Sequence, residues 1–285
     1  MKIGILASTF HKSGYGRYGE KTYEKIKELG FNASDFNICE TDTAIYTAPQ
    51  NESDEILLRE KALADKAGIE IAQIHGPWRY PPRDGTLEER AERFEKMCIS
   101  IRAASVIGCK YWVIHPLMPF GTGDKNTEHV ATTRQINLEF FRELVKVAKK
   151  YGVIICLENM PMLNFCISTP AEILNFIEEI NDENLQMCLD VGHVNVFKEL
   201  NIYEEVKRVG HRLRVLHVHD NSLARDTHQL PTFGSVDWKA FAKALKEINF
   251  NGSFSIEATP PTSLPNELFE DASKLLVKII HNIID

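Results

Sequence analysis

The chain has 285 residues, enough for one large domain with a substantial buried core or for two small ones. Hydrophobic content of 44% and charged content of 26% are those of an ordinary soluble globular protein, and a net charge of −7 argues against a broad basic surface for nucleic acid. The six cysteines form no CxxC pair, which points to buried free thiols in a reducing compartment.

The opening stretch MKIGILAS is too short and too soon polar for a signal peptide, and no apolar run reaches membrane-spanning length. A cytoplasmic protein with no membrane partner is the expectation. The first strand is predicted at KIGILAS (2–8), and the following GILASTFHKSGYG holds no GxGxxG or Walker pattern. The second is ASDFNIC (33–39). The helical run SDEILLREKALADKAG follows, with Ser53 expected as its cap and Gly68 as its stop. Strand three is EIAQIHG (70–76), and GPWRYPPRDG (76–85) after it reads equally as a lid carrying Trp78, Arg79 and Tyr80 or as an ordinary rigid loop. Strand four, YWVIHP (111–116), contains Trp112 as a core residue and precedes the helix LEFFRELVKVAKKYG, which ends on lysines and Gly152. Strand five is VIICLEN (153–159); the helix after it opens with Thr169 and Pro170, a cap followed by an N1 proline. Strands six, seven and eight are LQMCLDV (185–191), RVLHVHD (214–220) and SFSIEAT (253–259). SVDWKAFAKALKEI starts the seventh helix, and NELFEDASKLLVKIIHNII is the eighth.

Eight strand–helix alternations with no linker or low-complexity break predict a single α/β domain over residues 1–285, a (β/α)8 TIM barrel. A doubly wound open sheet would usually bring a glycine-rich phosphate turn after its first strand, and none is present.

Strands three to eight end in residues suited to bind metal or move protons. These are His75, His115, Glu158, Asp190 with His193 three residues later, His217 and His219, and Glu257. RDTHQLPTFGSVDW adds Asp226 and His228, next to Arg225. In a barrel the strand C-termini converge on one face, so these residues meet in one bowl. Crowded carboxylates there would repel one another and lose hydration, and a divalent cation removes both problems. Carboxylate and imidazole donors suit Mn²⁺, Zn²⁺, Co²⁺ or Mg²⁺, with no organic cofactor implied. Each residue alone has a simpler reading, such as the cap of the following helix for an Asp or Glu. That reading is hard to sustain on so many strands at once.

IHGP, VIHP, CLENM, LDVGHVN, LHVHDN, RDTHQLPTFGSVDW and SIEAT, in this order, resemble the xylose isomerase-like TIM-barrel superfamily. That group holds metal-dependent sugar isomerases and epimerases as well as type-four apurinic endonucleases. The ketose 3-epimerase resemblance implies one divalent metal held by Glu158, Asp190, a strand-seven histidine and Glu257, with His193 on substrate. His217 stands three residues before Asp220, the spacing usual for the family's strand-seven ligand. It is the expected ligand, with His219 in a supporting or substrate-facing position. Glu158 and Glu257 are the expected acid/base pair. His75, His115, Arg225 and Trp78 complete the expected substrate contacts. The substrate implied is a small sugar or sugar phosphate, and relatives that are dimers or tetramers imply a homo-oligomer. The endonuclease branch would recruit His75, His115, His193 and additional metal ligands Asp226 and His228 for a zinc cluster. LDVGH departs from that branch's Asp-Thr-Cys-His, and LPTFGSVDW lacks its Gly-Glu-Gly. A lyase or dehydratase on the same metal site is a further alternative.

Overall fold

The computed structural model describes residues 1–10, 20–223 and 225–285. Eight parallel strands form one sheet: β1 Lys2–Leu6, β2 Ala33–Asn37, β3 Glu70–His75, β4 Tyr111–Ile114, β5 Ile154–Glu158, β6 Leu185–Asp190, β7 Leu213–His217 and β8 Ser253–Ile256. Their order is β7-β6-β5-β4-β3-β2-β1-β8. The ends of that order meet through Val218, whose N–H donates to Ser255 O at 2.8 Å and whose carbonyl accepts from Glu257 N at 3.0 Å. This closes the sheet into a TIM barrel and rules out the open doubly wound alternative.

Ten α-helices are present among the described residues: α1 Glu20–Glu28, α2 Ala44–Thr47, α3 Gln50–Ala67, α4 Leu87–Val106, α5 Val130–Tyr151, α6 Pro170–Ile180, α7 Val191–Val196, α8 Ile202–Val209, α9 Trp238–Glu247 and α10 Asn266–Ile284. Gly68 and Gly152 terminate α3 and α5 in left-handed conformations (φ 69° and 68°), where a Cβ would be strained. Thr169 caps α6 in a reciprocal box with Glu172, and Pro170 occupies the first turn. Ser53 is not the cap of α3. That helix starts three residues earlier, after Pro49, and the Ser53 hydroxyl is buried, donating to Ile45 O at 3.1 Å. None of the described helices is long and apolar enough to cross a membrane.

The strands are shorter than the sequence pattern suggests, because the apolar runs continue into the loops at their C-terminal ends. Within each strand, side chains alternate between the helix-covered outside and the lumen. Ile155 and Leu157 of β5, and Leu185, Met187 and Leu189 of β6, join the large core beneath the helices. Val113, Cys156, Cys188 and Val215 form a separate buried cluster on the inner face. Trp112 alternates outward, fully buried, with Nε1 donating to Ser100 Oγ at 2.6 Å. All six cysteines are free, with Cys109, Cys156 and Cys188 buried and the other three partly so.

The opposite side of the lumen is polar. Asp35 of β2 accepts from Gln73 Nε2 of β3 at 3.0 Å and from Ser255 Oγ of β8 at 2.7 Å, while Gln73 Nε2 also reaches Leu216 O of β7 at 3.4 Å. Burial pushes the Asp35 carboxyl up to about 7, against the lowering influence of His217 and of the Ser255 hydrogen bond. A group whose folded pKa lies above its unfolded value of 3.8 contributes stability that is complete below that value and is lost as pH rises through about 7. Asp35→Asn is therefore expected to gain on the native protein between pH 5 and pH 8, by no more than about 3 kcal/mol. Urea unfolding of both proteins at the two pH values checks this, and parallel pH profiles would show that Asp35 carries no such proton.

Candidate active site

The alternation that sends Gln73, Val113, Cys156, Cys188, Val215 and Ser255 into the lumen does the same for the residues two positions further on. These are His75, His115, Glu158, Asp190, His217 and Glu257, at or just past the ends of β3 to β8. Glu158 stands at the centre and is 1% exposed. Its Oε1 lies 3.0 Å from His217 Nδ1 and 3.6 Å from His193 Nδ1; its Oε2 lies 3.2 Å from His115 Nε2 and 3.5 Å from His75 Nε2. His217 Nδ1 is also 3.2 Å from Glu257 Oε2. Ligand atoms of Glu158, Asp190, His217 and Glu257 all fall within 4.8 Å of one another.

Three further groups share that compactness: His75, His115 and Glu158 on one flank, His193, His219, Asp226 and His228 on the other, and Glu158, Cys188 and His217 beneath. His217 and His219, two apart in sequence, thus face different groups. β7 ends at His217, and past the single bridge at Val218 the chain turns His219 towards Asp190, with Nε2 3.0 Å from Oδ1. His219 stacks on His228 at 3.9 Å between ring centroids. Asp226 Oδ1 is buried without a hydrogen-bond partner, 3.5 Å from His219 Nε2.

Backbone carbonyls set the ring orientations. His75 Nδ1 donates to Gly76 O (2.9 Å), His193 Nδ1 to Asn159 O (2.7 Å) and His228 Nδ1 to Glu257 O (2.8 Å), which leaves each Nε2 facing the bowl. Asp190 caps α7 by accepting from His193 N at 2.7 Å, so it serves as helix cap and as a member of the cluster at once. Gly192 follows in the same turn because a Cβ there would stand 1.9 Å from the His219 ring.

Sequence reasoning missed two supports. Asn159 links β5 to β6, accepting from Asp190 N at 2.9 Å and donating to Asp190 O at 3.0 Å. Asp220 is fully buried and accepts from the backbone N–H of Asn221, Thr232 and Val236 and from Trp238 Nε1. It holds the loop that carries Asp226 and His228. The combination of an Asp after the second histidine with Gly-Ser-Val-Asp-Trp downstream was the available signal. Trp78 meets His115 edge-on at 5.5 Å. Arg225 is exposed, and its described contact is its backbone N–H donating to Leu223 O.

Burial opposes ionisation of Glu158, yet His217 and His115 outweigh it and hold the carboxyl well below the usual range. Burial likewise disfavours a charged His193, but Asp190, Asp226 and Glu158 raise it to about 10. His115 goes the other way: desolvation dominates and lowers it to about 4. Protons on the raised imidazoles thus balance the buried carboxylates of the metal-free protein.

Residues 23–279 match the family described as xylose isomerase-like TIM barrel, and the chain belongs to that family. It is 28% identical over 262 residues to an uncharacterised protein of Methanocaldococcus jannaschii, covering 90% of this chain and 83% of that one. A D-psicose 3-epimerase of Ruminiclostridium cellulolyticum is 27% identical over 269 residues, covering 90% of this chain and 83% of the enzyme. The crystal structure of a D-tagatose 3-epimerase-like protein superposes with a TM-score of 0.77 at 25% identity, over 100% of this chain and 98% of the other.

The raised His193 predicts a pH dependence. Its stabilising contribution in metal-free protein is complete below 6.5 and is lost as pH rises through about 10. Chelator-treated protein should melt at a lower temperature at pH 9.5 than at pH 7, and His193→Gln should flatten the dependence. Identical slopes in a differential scanning fluorimetry series would contradict it.

Proposed function

We propose that the protein is a divalent-metal-dependent sugar epimerase or isomerase that transfers a proton at the carbon next to a carbonyl, through an enediolate. The convergence of Glu158, Asp190, His217 and Glu257 from four successive strands carries this reading. The D-psicose 3-epimerases among the relatives support it. The donor set fits a cation. Three carboxylates meet within a few ångströms in a largely dry bowl, where their mutual repulsion and lost hydration ask for a positive charge, and oxygen and imidazole donors suit Mn²⁺, Zn²⁺, Co²⁺ or Mg²⁺. When bound, such an ion polarises the substrate carbonyl and a neighbouring hydroxyl.

The protein's own groups then divide the work. Glu158 and Glu257 come from β5 and β8, three places apart around the barrel, and both approach the His217 ring. Carboxylates reaching one carbon from two sides suit epimerisation, in which one removes a proton and the other delivers one to the opposite face. Glu257 is the more accessible, with its side chain 21% exposed against 1% for Glu158. His193, oriented by Asn159 O, would present Nε2 to a substrate oxygen. His75, His115, His219, Arg225 and Trp78 would shape the rest of the substrate site.

The groups His75–His115–Glu158 and His193–His219–Asp226–His228 favour a second reading, a zinc phosphodiesterase of the apurinic endonuclease kind that uses these two clusters and the first one. A lyase or dehydratase would share the first cluster. Metal analysis of purified protein separates the first two: about one ion per chain supports the epimerase, and about three support the phosphodiesterase.

A ketose, aldose and inosose panel with Mn²⁺ tests the chemistry. Glu158→Gln should reduce turnover by about 10²–10⁴-fold while the far-ultraviolet circular dichroism stays native. Near-normal turnover in that variant would remove Glu158 from the acid/base role.

A further inference from the structure

Helix α10 turns one apolar face to the barrel and a second one outward. Phe269, Leu276 and Ile280 are buried against the core. Leu268, Ala272, Leu275, Ile279 and Asn282–Ile283 lie along another line, with alternate steps of four and three residues. That spacing is the seam by which two helices pair. Leu268 and Leu275 are 52% and 51% exposed, while Ala272, Ile279 and Ile283 are half-buried. Towards its C-terminal end the stripe meets a groove of about 660 Å³ between α9 and α10, whose lining includes Trp238, Ala242 and Ile283.

The charges beside the stripe are sorted by position. Glu267 and Asp271 lie in the first half of α10, and Lys274 and Lys278 lie in the second. None of the four makes an ion pair among the described residues. A face that is acidic at one end and basic at the other repels a parallel copy of itself and matches an antiparallel one. An anionic lipid surface would ask for basic residues along the whole face, so it fits less well. Leu268 and Asn282 each stand seven residues from Leu275. A two-fold axis at Leu275 therefore sets Leu268 of one copy over Asn282 and Ile283 of the other, where the groove receives it. Asp271 of one copy then faces Lys278 of the other, and the same pair forms again by symmetry.

We propose that α10 is the self-association face of this protein, pairing antiparallel with the α10 of a second copy across a two-fold axis near Leu275. The helix is about 28 Å long, so the contact is at the small end for a specific interface and the dissociation constant is on the order of micromolar. The inference is independent of the chemistry at Glu158.

Sedimentation velocity of the full chain, from about 1 µM to about 100 µM, tests it. The sedimentation coefficient should rise from that of a monomer to that of a dimer across this range. Leu275→Asp, at a half-exposed position, should remain monomeric throughout with an unchanged far-ultraviolet circular dichroism spectrum. Asp271→Lys and Lys278→Asp should each weaken the dimer by about tenfold, and the double reversal should restore it, because each copy then offers the opposite sign at both places. Restoration distinguishes this pairing from a general effect of charge on solubility or folding. A monomer at every concentration, a dimer indifferent to Leu275→Asp, or a double reversal no better than the single ones would overturn the proposal.

Discussion

A carboxylate buried among four imidazoles organises this protein. Glu158 is almost wholly removed from water, and an isolated charge there would be costly. It is tolerated because His217 and His193 face one oxygen while His115 and His75 face the other. Every element that carries one of those rings must end at the right height around the barrel. β3, β4, β6 and β7 are thereby constrained by one side chain on β5. The same residue joins three of the clusters, so any ion bound in one alters the field in the others.

Barrel closure is tied to this chemistry. The hydrogen bonds that join β7 to β8 run through Val218 to Ser255 and Glu257, between His217 and a proposed acid/base residue. Below them, Asp35, Gln73 and Ser255 span β2, β3 and β8 and reach the carbonyl of Leu216, next to His217. A polar half-layer in a barrel lumen departs from the usual filling with branched apolar side chains; an apolar filling is kept on the side of Val113, Cys156, Cys188 and Val215. The polar half lies under His217 and Glu257, where hydrogen bonds specify a position that packing alone would leave looser.

The loop after β7 shows how a carboxylate near an active site can serve structure instead. The Asp220 carboxylate accepts four hydrogen bonds, all from its own loop and from Trp238 at the head of α9. Its fixed spacing from His217 thus reflects the anchoring of the loop that brings Asp226 and His228 to the bowl. Asp190 differs in that it caps α7 and joins the cluster, so the two roles are compatible when one oxygen is not enough to exhaust the group.

Strand number, strand order and the inward direction of Glu158, Asp190, His217 and Glu257 were legible in the residues, because alternation within a strand is local and the barrel brings strand ends together. The donor chemistry of these side chains was equally legible from their types. Helix starts were less so: Ser53 looks like a cap but its hydroxyl is taken by the carbonyl of Ile45 in α2, a contact no local pattern reveals. The spacing to Asp220 set His217 apart from His219 by resemblance alone, and the tertiary structure supplies the physical reason. Past His217 the strand ends, and the direction of the next residues is set by β8, by Gly192 and by the Asp220-anchored loop rather than by period two. Local periodicity determined which face each of these side chains takes, and long-range packing decided which neighbours it finds there.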